Sequence, residues 1–575
     1  MYLITMHFAR LPRRSPAALI VLLAGLWAGG LWGGLPGPAA AQLSPEQAAR
    51  VDSVFADLNR TDGPGCALGV VRDGEMIYAH GYGMANLDHG VALGPESIFR
   101  LASVSKQFTA ASAVLAARQG HFALDDPVSE HVSELPVWAD SVTVRQLLHH
   151  TSGIRDYLAL YSLAGRSGAL TPAEIIDLLA RQQDTNFPPG TKHLYSNSGY
   201  FLISVIIRRA TGRSLRAFAR EELFEPLGMK NTHYHDDYTE VVPNRATGYA
   251  PREDGGYRIS TTRWENLGDG SVFSSVSDLV HWIRNFSEPR VGGEALVDAL
   301  LSRGTLANGD TIDYALGLTH GTHHGLHAVA HGGAFVGYRN YITLYPEEQV
   351  SVMCLCNSAS VAPGALSRSV AEVVLADRMK PEPDARRDTS DQVASDTEMS
   401  PEELEPYAGP YRTSWGGYVR VRVEEGRLVT EDFGQRVPLR AIASDRFSAA
   451  NFTEWAFDRE GTSRAEQVTV HFHGRATTFD RVELAAYSEA ERQAFTGRYH
   501  SEELGVDYRI SADGDTLTLE QGDRDPKVLR PGIEDEFSFG GGEGTVEFAR
   551  NEAGEVTGFE VHTGRARGIR FVRRP

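Results

Sequence analysis

The chain has 575 residues, of which 42% are apolar and 23% are charged, and its formal net charge is −19. Because a chain of this length exceeds one ordinary hydrophobic core, we expect about three domains. The excess of negative charge disfavours binding to phosphate backbones and anionic lipid, so nucleic acids and membrane surfaces are not expected partners.

The first 41 residues are typical of a cleaved secretory signal peptide. A basic start with Arg10 and Arg13 precedes an apolar run over 17–31, and Ala39-Ala40-Ala41 offers small side chains for cleavage before Gln42. An uncleaved anchor is the alternative, but the apolar run is short for a bilayer core of about 30 Å. We therefore predict an exported protein, periplasmic or secreted, with no stable membrane insertion after cleavage.

Two groups of predicted strands frame a helical segment. A helix is predicted to begin at Ser44-Pro45, because serine caps helices and proline suits the first turn. The runs CALGVV and MIYAHGYG predict two strands around the turn Asp73-Gly74, and strand patterns return in HAVAHGG, YRNYITLYP and VSVMCLC. We expect the strands from both ends to form one antiparallel sheet beside the helices. This arrangement is an α/β (α+β) domain over residues 43–379.

The three cysteines, Cys66, Cys354 and Cys356, lie in apolar strand-like runs. Cysteine in such a run usually behaves as a small core side chain. Export would permit disulfides, but three thiols cannot all pair, and Cys354 and Cys356 would share one face of a strand. We expect all three cysteines to be buried and free.

Beyond a polar, proline-containing linker over residues 380–400, the sequence changes to short alternating strands. A pattern of two aromatic residues flanking a glycine occurs in each half of this region: Tyr407, Gly409 and Tyr411, then Phe495, Gly497 and Tyr499. The repeat predicts two small all-β barrels, over residues 401–486 and 487–575. One duplicated sandwich is the alternative.

A serine and a lysine stand one helical turn apart at the start of the predicted helix SKQFTAASAVLAARQG. Residues three apart on a helix are neighbours, so the Lys106 amine can reach the Ser103 hydroxyl. A serine hydroxyl becomes a strong nucleophile when a base removes its proton, and a lysine can be that base when burial disfavours its charged form. The alternative is that Ser103 is a simple helix cap.

Two further motifs place polar groups at the ends of predicted elements. Tyr195 and Asn197 lie in a loop ahead of an apolar helix, where a phenol and an amide can point into a cleft. His331, Gly332 and Gly333 end a strand, and the glycines let a substrate lie along the sheet edge. A backbone N–H there can join that of Ser103 in an oxyanion hole. A buried tyrosine, a turn asparagine and a core histidine are the structural alternatives.

Together the three motifs resemble those of the penicillin-recognising serine hydrolases, which include class C β-lactamases, D,D-carboxypeptidases, D-aminopeptidases and bacterial esterases. The motif Ser-x-x-Lys matches Ser103 and Lys106, Tyr-x-Asn matches Tyr195 and Asn197, and His-x-Gly matches His331 and Gly333. The resemblance covers about 43–378 and implies a β-lactamase-like fold. A catalytic domain followed by two barrels is also similar to the layout of D-aminopeptidases.

The resemblance also implies roles for these residues. Ser103 would be the nucleophile, Lys106 and Tyr195 would carry its proton, and Ala334 would supply the second oxyanion N–H. Asn197 and His331 would complete the catalytic set, and Gly332, Gly333 and Ala334 would line the substrate. The mechanism of this family implies no metal and no organic cofactor.

The sequence departs from the family pattern at its third motif. His331 replaces the lysine of the penicillin-binding members, and Gly332 lacks the hydroxyl that helps to hold a substrate carboxylate. We therefore expect poor recognition of a terminal carboxylate and inefficient turnover of β-lactams and of D-Ala-D-Ala. A metal site shared by His323, His324, His327 and His331 is not expected, because His327 and His331 would be roughly 13 Å apart along a strand.

The sequence thus predicts a two-step acyl transfer to water on small acyl, peptide or ester substrates. A peptidase or amidase acting on D-amino-acid substrates ranks first, a carboxylesterase second and a β-lactamase third. Two other hypotheses are a penicillin-binding sensor without turnover and an envelope interaction protein with a vestigial site. The sequence leaves the oligomeric state open.

Overall fold

The computed structural model describes residues 42–575 except 266, 381–398, 414–415, 433–434, 450–453, 462, 473–474 and 523. The predicted signal peptide and nearly all of the predicted linker lie outside the described residues. Within the part of the chain that is described, no helix is both long and apolar enough to cross a membrane.

The N-terminal domain has strands from both of its ends. In chain order they are β1 Cys66–Arg72, β2 Glu75–Tyr82, β3 Met84–Asn86, β4 Val91–Ala92, β5 Phe99–Arg100, β6 His233–Tyr234, β7 Tyr249–Pro251, β8 Tyr257–Ile259, β9 Val272–Ser274, β10 Thr319–His323, β11 Leu326–Phe335, β12 Tyr338–Tyr345 and β13 Val350–Cys356. Six of them form one antiparallel sheet in the order β10-β11-β12-β13-β1-β2. The predicted sheet built from both ends of the domain is therefore confirmed.

Helices cover the sheet and enclose the middle of the domain. They are α1 Pro45–Val54, α2 Lys106–Arg118, α3 Val144–Leu148, α4 Tyr157–Leu163, α5 Pro172–Ala180, α6 Asn197–Thr211, α7 Leu215–Ala219, α8 Glu225–Leu227, α9 Val276–Ser287, α10 Glu294–Leu301 and α11 Pro363–Val374. Helix α1 begins with the predicted Ser44 cap, which accepts a hydrogen bond from the Gln47 N–H. Helix α2 is buried along most of its length and contacts α6. The two helices hold each other's N-terminal residues in place.

The expectation that all three cysteines are free is wrong. Cys66 and Cys356 form a disulfide, and Cys354 remains a buried free thiol. Strands β1 and β13 are neighbours, and their register places Cys66 directly opposite Cys356. The pairing was not visible in the sequence because it joins the two ends of the domain across 290 residues.

The C-terminal region forms two closed barrels, so the barrel prediction is confirmed and the single duplicated sandwich is not formed. The first has β14 Gly409–Arg412, β15 Tyr418–Glu424, β16 Arg427–Asp432, β17 Gln435–Ala443, β18 Arg446–Ala449, β19 Glu454–Asp458, β20 Gln467–Phe472 and β21 Arg475–Arg481. The second has β22 Gly497–Ser501, β23 Val506–Asp513, β24 Thr516–Gln521, β25 Lys527–Pro531, β26 Glu536–Phe539, β27 Gly544–Arg550, β28 Val556–Thr563 and β29 Ile569–Arg574. A short helix, α12 Pro401–Leu404 or α13 Glu489–Ala494, precedes each barrel.

The repeated aromatic residues have the same structural role in both barrels. The Tyr411 hydroxyl donates to the Tyr407 carbonyl at 2.8 Å, and the Tyr499 hydroxyl donates to the Phe495 carbonyl at 2.7 Å. Each bond joins the start of the first strand to the turn before it. The repeated aromatic residues in the sequence therefore correspond to the same hydrogen bond at the first strand of each barrel.

The second barrel packs on the N-terminal domain. Arg155, just before α4, forms an ion pair with Glu503 of the barrel, and each side chain is only 2% exposed. At the other end of α4, the Tyr508 hydroxyl donates to the Leu163 carbonyl and Gln521 Nε2 donates to the Ser162 carbonyl at 2.8 Å. This contact places one rim of the barrel beside the N-termini of α2 and α6.

Candidate active site

Ser103 lies in a tight helical turn over Ala102–Ser105, directly before α2. Ala102 has a φ of +51°, and its side chain and that of Val104 are buried. Ser103 itself remains partly exposed. The turn therefore presents the Ser103 hydroxyl to the cleft while its neighbours anchor the backbone in the core.

Lys106 is completely buried, and its ammonium group has three hydrogen-bond acceptors. Nζ lies 3.3 Å from Ser103 Oγ, 2.9 Å from Asn197 Oδ1 and 2.7 Å from the Asp269 carbonyl oxygen. The predicted approach of Lys106 to Ser103 is therefore present. The same nitrogen joins α2 to the first residue of α6.

Asn197 is held in one orientation by Asp156, a residue that sequence reasoning did not select. Its backbone N–H and its Nδ2 donate to Asp156 Oδ2 at 2.8 and 2.9 Å. Because Nδ2 is engaged in this way, Oδ1 faces Lys106. Asp156 also caps α4 by accepting from the Leu158 N–H. An aspartate just before a predicted helix was the available signal, but it indicates a cap and not a contact with Asn197.

Tyr195 lies against the cationic side of the site. Lys106 Nζ lies 4.8 Å from the centroid of the Tyr195 ring. The centroids of the His150 and Tyr195 rings are 4.1 Å apart. The Tyr195 hydroxyl is buried and has no hydrogen-bond partner among the described residues. A phenol without a fixed partner, close to Lys106, can take up and release a proton when a substrate arrives.

His150, which sequence reasoning did not select as a site residue, packs against the Tyr195 ring. Its backbone has a φ of +58°, and its Nδ1 accepts from the Ser196 N–H at 3.2 Å. Burial and the nearby Lys106 charge place the pKa of His150 well below its usual range. The ring is therefore neutral near pH 7 and packs against Tyr195 as a flat, uncharged surface.

The end of β11 packs directly on the turn that carries Ser103. A Cβ at Gly333 would lie 2.1 Å from the Leu101 carbonyl oxygen and 3.2 Å from the Ser103 backbone nitrogen. Only glycine permits this approach. Ala334, next along the strand, is exposed. The close packing therefore places the end of β11 directly against the backbone of the turn that carries Ser103.

His331 lies beside this edge and is uncharged. Its Nε2 is 3.1 Å from the Tyr314 hydroxyl, and its Nδ1 is 2.6 Å from the Gly332 carbonyl oxygen. Burial, together with the Lys106 charge, lowers the pKa of His331 to about 4. A lysine at this position would carry a charge at neutral pH, so the substitution removes a cation from the strand side of the cleft.

A loop of the second barrel completes the site. This loop, residues 564–568 between β28 and β29, brings the Arg565 guanidinium to 4.9 Å from the centroid of the Tyr195 ring. A loop of the second barrel therefore reaches the catalytic domain by a direct contact. No sequence signal marked Arg565, because the contact joins a barrel loop to a residue of another domain.

The four histidines considered as metal ligands do not converge on one point. His323 and His324 approach Glu372, His327 approaches Glu347, and His331 contacts Tyr314. His323, His324 and Glu372 offer ligand atoms within 4.8 Å of one another, far along β11 from the Ser103 turn.

A family model described as Beta-lactamase matches residues 51–376, more than half of the chain. The chain belongs to the β-lactamase family. The chain is similar to several D-aminopeptidases. That of Brucella canis is 27% identical to it over 532 residues, which cover 89% of this chain and 96% of the relative. A D-aminopeptidase of Gluconobacter oxydans is 30% identical over 323 residues, which cover 56% of this chain and 61% of the relative.

Solved structures of the family share the fold. The octameric penicillin-binding protein homologue from Pyrococcus abyssi has a TM-score of 0.54 and 23% identity, covering 76% of this chain and 99% of that one. The D-amino acid amidase from Ochrobactrum anthropi has a TM-score of 0.51 and 22% identity, covering 58% of this chain and 99% of that one. The family match and the D-aminopeptidase relatives together identify the protein as a serine hydrolase.

Proposed function

We propose that this serine hydrolase is exported and cleaves small amides or peptides of D-amino acids through an acyl-enzyme on Ser103. The observation that carries the mechanism is the 3.3 Å contact between Lys106 Nζ and Ser103 Oγ, in a turn that leaves the hydroxyl partly exposed. The D-amino-acid preference is supported by the D-aminopeptidases to which the chain is similar.

In the first step, Ser103 Oγ attacks the substrate carbonyl, and its single proton passes to the Tyr195–Lys106 pair, of which one member enters the step deprotonated. The backbone N–H groups of Ser103 and Ala334 stabilise the negative charge on the carbonyl oxygen, a contribution worth several kcal/mol in related chemistry. Asn197, held by Asp156, keeps Lys106 aligned through its Oδ1 contact.

Collapse of the tetrahedral intermediate breaks the bond to the leaving amine. Tyr195 delivers the proton to that amine, since its hydroxyl is otherwise unpartnered in the described structure. Water then attacks the acyl-enzyme, gives its proton to the same Tyr195–Lys106 pair, and releases the acid and free Ser103. His331, neutral at pH 7, stabilises the edge of the site through Tyr314 and does not take part in proton transfer.

Export is supported by the basic and apolar pattern of the first 41 residues. It is supported further by the Cys66–Cys356 disulfide, since such bonds persist mainly in oxidising compartments. Fractionation of cells that express the full chain, followed by mass spectrometry of the mature N-terminus, tests this part. A product that begins at Met1 and stays in the cytoplasm would contradict it.

The nucleophile is tested with a fluorophosphonate and intact-mass spectrometry. We expect one adduct, absent in Ser103→Ala. Ser105→Ala is the matched control and is expected to keep the adduct, because the buried Ser105 hydroxyl accepts from the Val272 N–H and, among the described contacts, makes no other hydrogen bond. An adduct that survives Ser103→Ala would overturn the assignment.

Turnover is tested on D- and L-aminoacyl p-nitroanilides and on short esters. We expect more than one equivalent of product with the D-aminoacyl amides, which excludes a sensor that is only acylated. Lys106→Ala and Tyr195→Phe are each expected to lower kcat by orders of magnitude, and the double variant is expected to lose little more than either single one. Equal rates on D- and L-substrates would contradict the proposed stereochemical preference.

A further inference from the structure

The strand side of the cleft lacks a group that would hold a substrate carboxylate. Gly332 offers no hydroxyl, and His331 is neutral. Arg339, the arginine closest in sequence to this motif, turns to its own backbone and donates to the Val336 and Tyr338 carbonyls. Arg100 lies over the Phe335 ring at the end of β11 but is only 4% exposed. Of these described residues, none offers an anionic substrate an exposed cation that is free of backbone contacts.

The opposite side of the cleft has such a cation. The guanidinium of Arg565 lies over Tyr195, and its side chain is 48% exposed. In the part of the chain that is described the guanidinium makes no hydrogen bond, and its one ion pair is long, with 3.8 Å between Nη1 and Asp156 Oδ2. That oxygen already accepts from the Asn197 N–H and Nδ2. The N–H groups of Arg565 are thus available at the cleft.

The backbone of the loop is fixed even though the Arg565 side chain is not. The Arg565 carbonyl accepts from the Asp156 N–H at 3.0 Å and from Asn186 Nδ2 at 3.1 Å. Buried Arg155 donates to the Arg567 and Gly568 carbonyls, both at 2.9 Å. A loop held at this many points fixes the position from which the Arg565 side chain extends, so only side-chain freedom is lost when an anion binds.

The geometry points to Arg565 as the binding site for a carboxylate of the substrate. This inference rests on the proposed acyl transfer at Ser103 and names the substrates that the site prefers within the proposed class: amides or peptides that carry a carboxylate close to the bond that is cleaved. It replaces the expectation, drawn from Gly332 alone, that a terminal carboxylate is poorly recognised. Arginine binds carboxylates through two parallel N–H groups, which gives both affinity and orientation. It also repels a free ammonium group placed at the same point.

Two pairs of substrates test this inference, each differing only in a carboxylate or the corresponding carboxamide. D-Ala-D-Ala and D-Ala-D-alaninamide place the group on the leaving side. N-succinyl-D-alanine p-nitroanilide and its succinamide analogue place it on the acyl side. We expect the carboxylate member of at least one pair to have a kcat/KM about 10- to 100-fold higher, the range of a hydrogen bond to a charged group.

Variants then assign the preference to Arg565. Arg565→Ala is expected to bring the kcat/KM ratio of the carboxylate to the carboxamide member of each pair to about one, through KM. The ratio within a pair is the readout, because Arg565 also lies over Tyr195 and its loss can change the rate on both members. Arg565→Lys is expected to keep part of the preference, and Arg565→Glu to reverse it. Arg574→Ala is the matched control, because Arg574 belongs to the same barrel and pairs only with the exposed Glu502 in the described structure. All four variants are expected to fold, since the loop is anchored by backbone atoms.

Two outcomes would overturn the inference: equal rates within both pairs, or a carboxylate preference that survives Arg565→Ala. Failure of the underlying mechanism gives a different result. In that case Ser103→Ala would retain turnover of the carboxamides, or the wild-type protein would not be labelled by the uncharged fluorophosphonate. The two failures are therefore separated by measurements on the same preparations.

Discussion

The two barrels have the same strand topology and a repeated sequence, but they have different relations to the rest of the molecule. The second barrel contacts the N-terminal domain through the buried Arg155–Glu503 pair and reaches Tyr195 with Arg565. The first barrel contacts the second through Arg412 and the buried Glu536, and the Tyr418 hydroxyl accepts from the Ile533 N–H.

The two repeats also differ in the length of the loop before their last strand. The sequence Gly-Arg-Ala occurs at corresponding places in both repeats, at 474–476 and at 564–566. The phenylalanine that follows it is Phe479 in the first repeat and Phe571 in the second, so the second repeat has the longer loop. The two repeats thus share a barrel scaffold, and the longer loop of the second one carries Arg565 to Tyr195.

Breaking the buried pair of the second barrel is expected to have the largest effect. Glu503→Gln leaves Arg155 charged and buried, which costs about 3–5 kcal/mol. We expect a lower free energy of unfolding in urea and a loss of turnover, because Arg155 is next to Asp156. In the first barrel the Arg446–Glu454 pair is largely exposed, so Arg446→Gln is expected to cost less than about 1 kcal/mol. Similar losses in the two variants would remove the distinction between the barrels.

Acid is expected to weaken the N-terminal domain before the barrels. Burial lowers the pKa of both His149 and His331 to about 4. In the unfolded chain histidine has a pKa near 6.5. Between pH 6.5 and 4 the unfolded chain therefore binds more protons than the folded protein, and the free energy of unfolding falls as the pH falls through this window. Each such histidine is expected to lower the free energy of unfolding by up to about 3 kcal/mol at pH 4 relative to pH 7.

Hydrogen exchange at pH 7 and pH 4.5 measures this effect domain by domain. We expect faster exchange at the lower pH, after correction for intrinsic rates, mainly in residues 66–356. His149→Gln is expected to remove part of the pH dependence of unfolding. A uniform acceleration over all domains would contradict the assignment to buried histidines.

Separating the two barrels is expected to have a smaller effect and to spare catalysis. Arg412→Ala leaves the Glu536 carboxylate, which is 2% exposed, without its ion-pair partner, and we expect a loss of about 2 kcal/mol. Limited proteolysis is expected to cut the first barrel more rapidly. The kcat/KM for small substrates is expected to stay within about twofold, and a large loss in a folded variant would show that the first barrel also shapes the site.

Loosening the loop of the second barrel is expected to have the smallest effect on stability. Asn186→Ala removes hydrogen bonds to the Arg565 carbonyl and to the Arg567 N–H, worth about 1 kcal/mol each. We expect faster amide exchange in residues 564–568 and a KM raised severalfold with kcat nearly unchanged. Asn308→Ala, at an exposed turn where the side chain bonds only to Asp310 in the described structure, is the control. No change in exchange would show that Arg155 and the Asp156 N–H hold the loop without help from Asn186.

The sequence predicted the elements whose signals are local. Turn residues, strand alternation and the barrel repeat identified the sheet and both barrels, and the helical spacing of Ser103 and Lys106 predicted their contact. The residues that were missed act across long distances in the chain. Asp156, His150 and Arg565 each contact Tyr195 or Asn197 from another element, and none belongs to a spacing pattern. The disulfide was missed for the same reason, because its partners meet only when β1 and β13 pair.

The disulfide keeps the two ends of the N-terminal domain linked when a protease cuts the chain between them. Cys66 and Cys356 lie in the first and the last strand of the six-stranded sheet in chain order, so the bond closes nearly the whole N-terminal domain into a covalent ring. A single cut anywhere between them opens the ring without releasing a fragment. On a gel, a nicked enzyme would run as one chain until a reducing agent is added, and it would hold Ser103 and His331 together even when the peptide between them is broken.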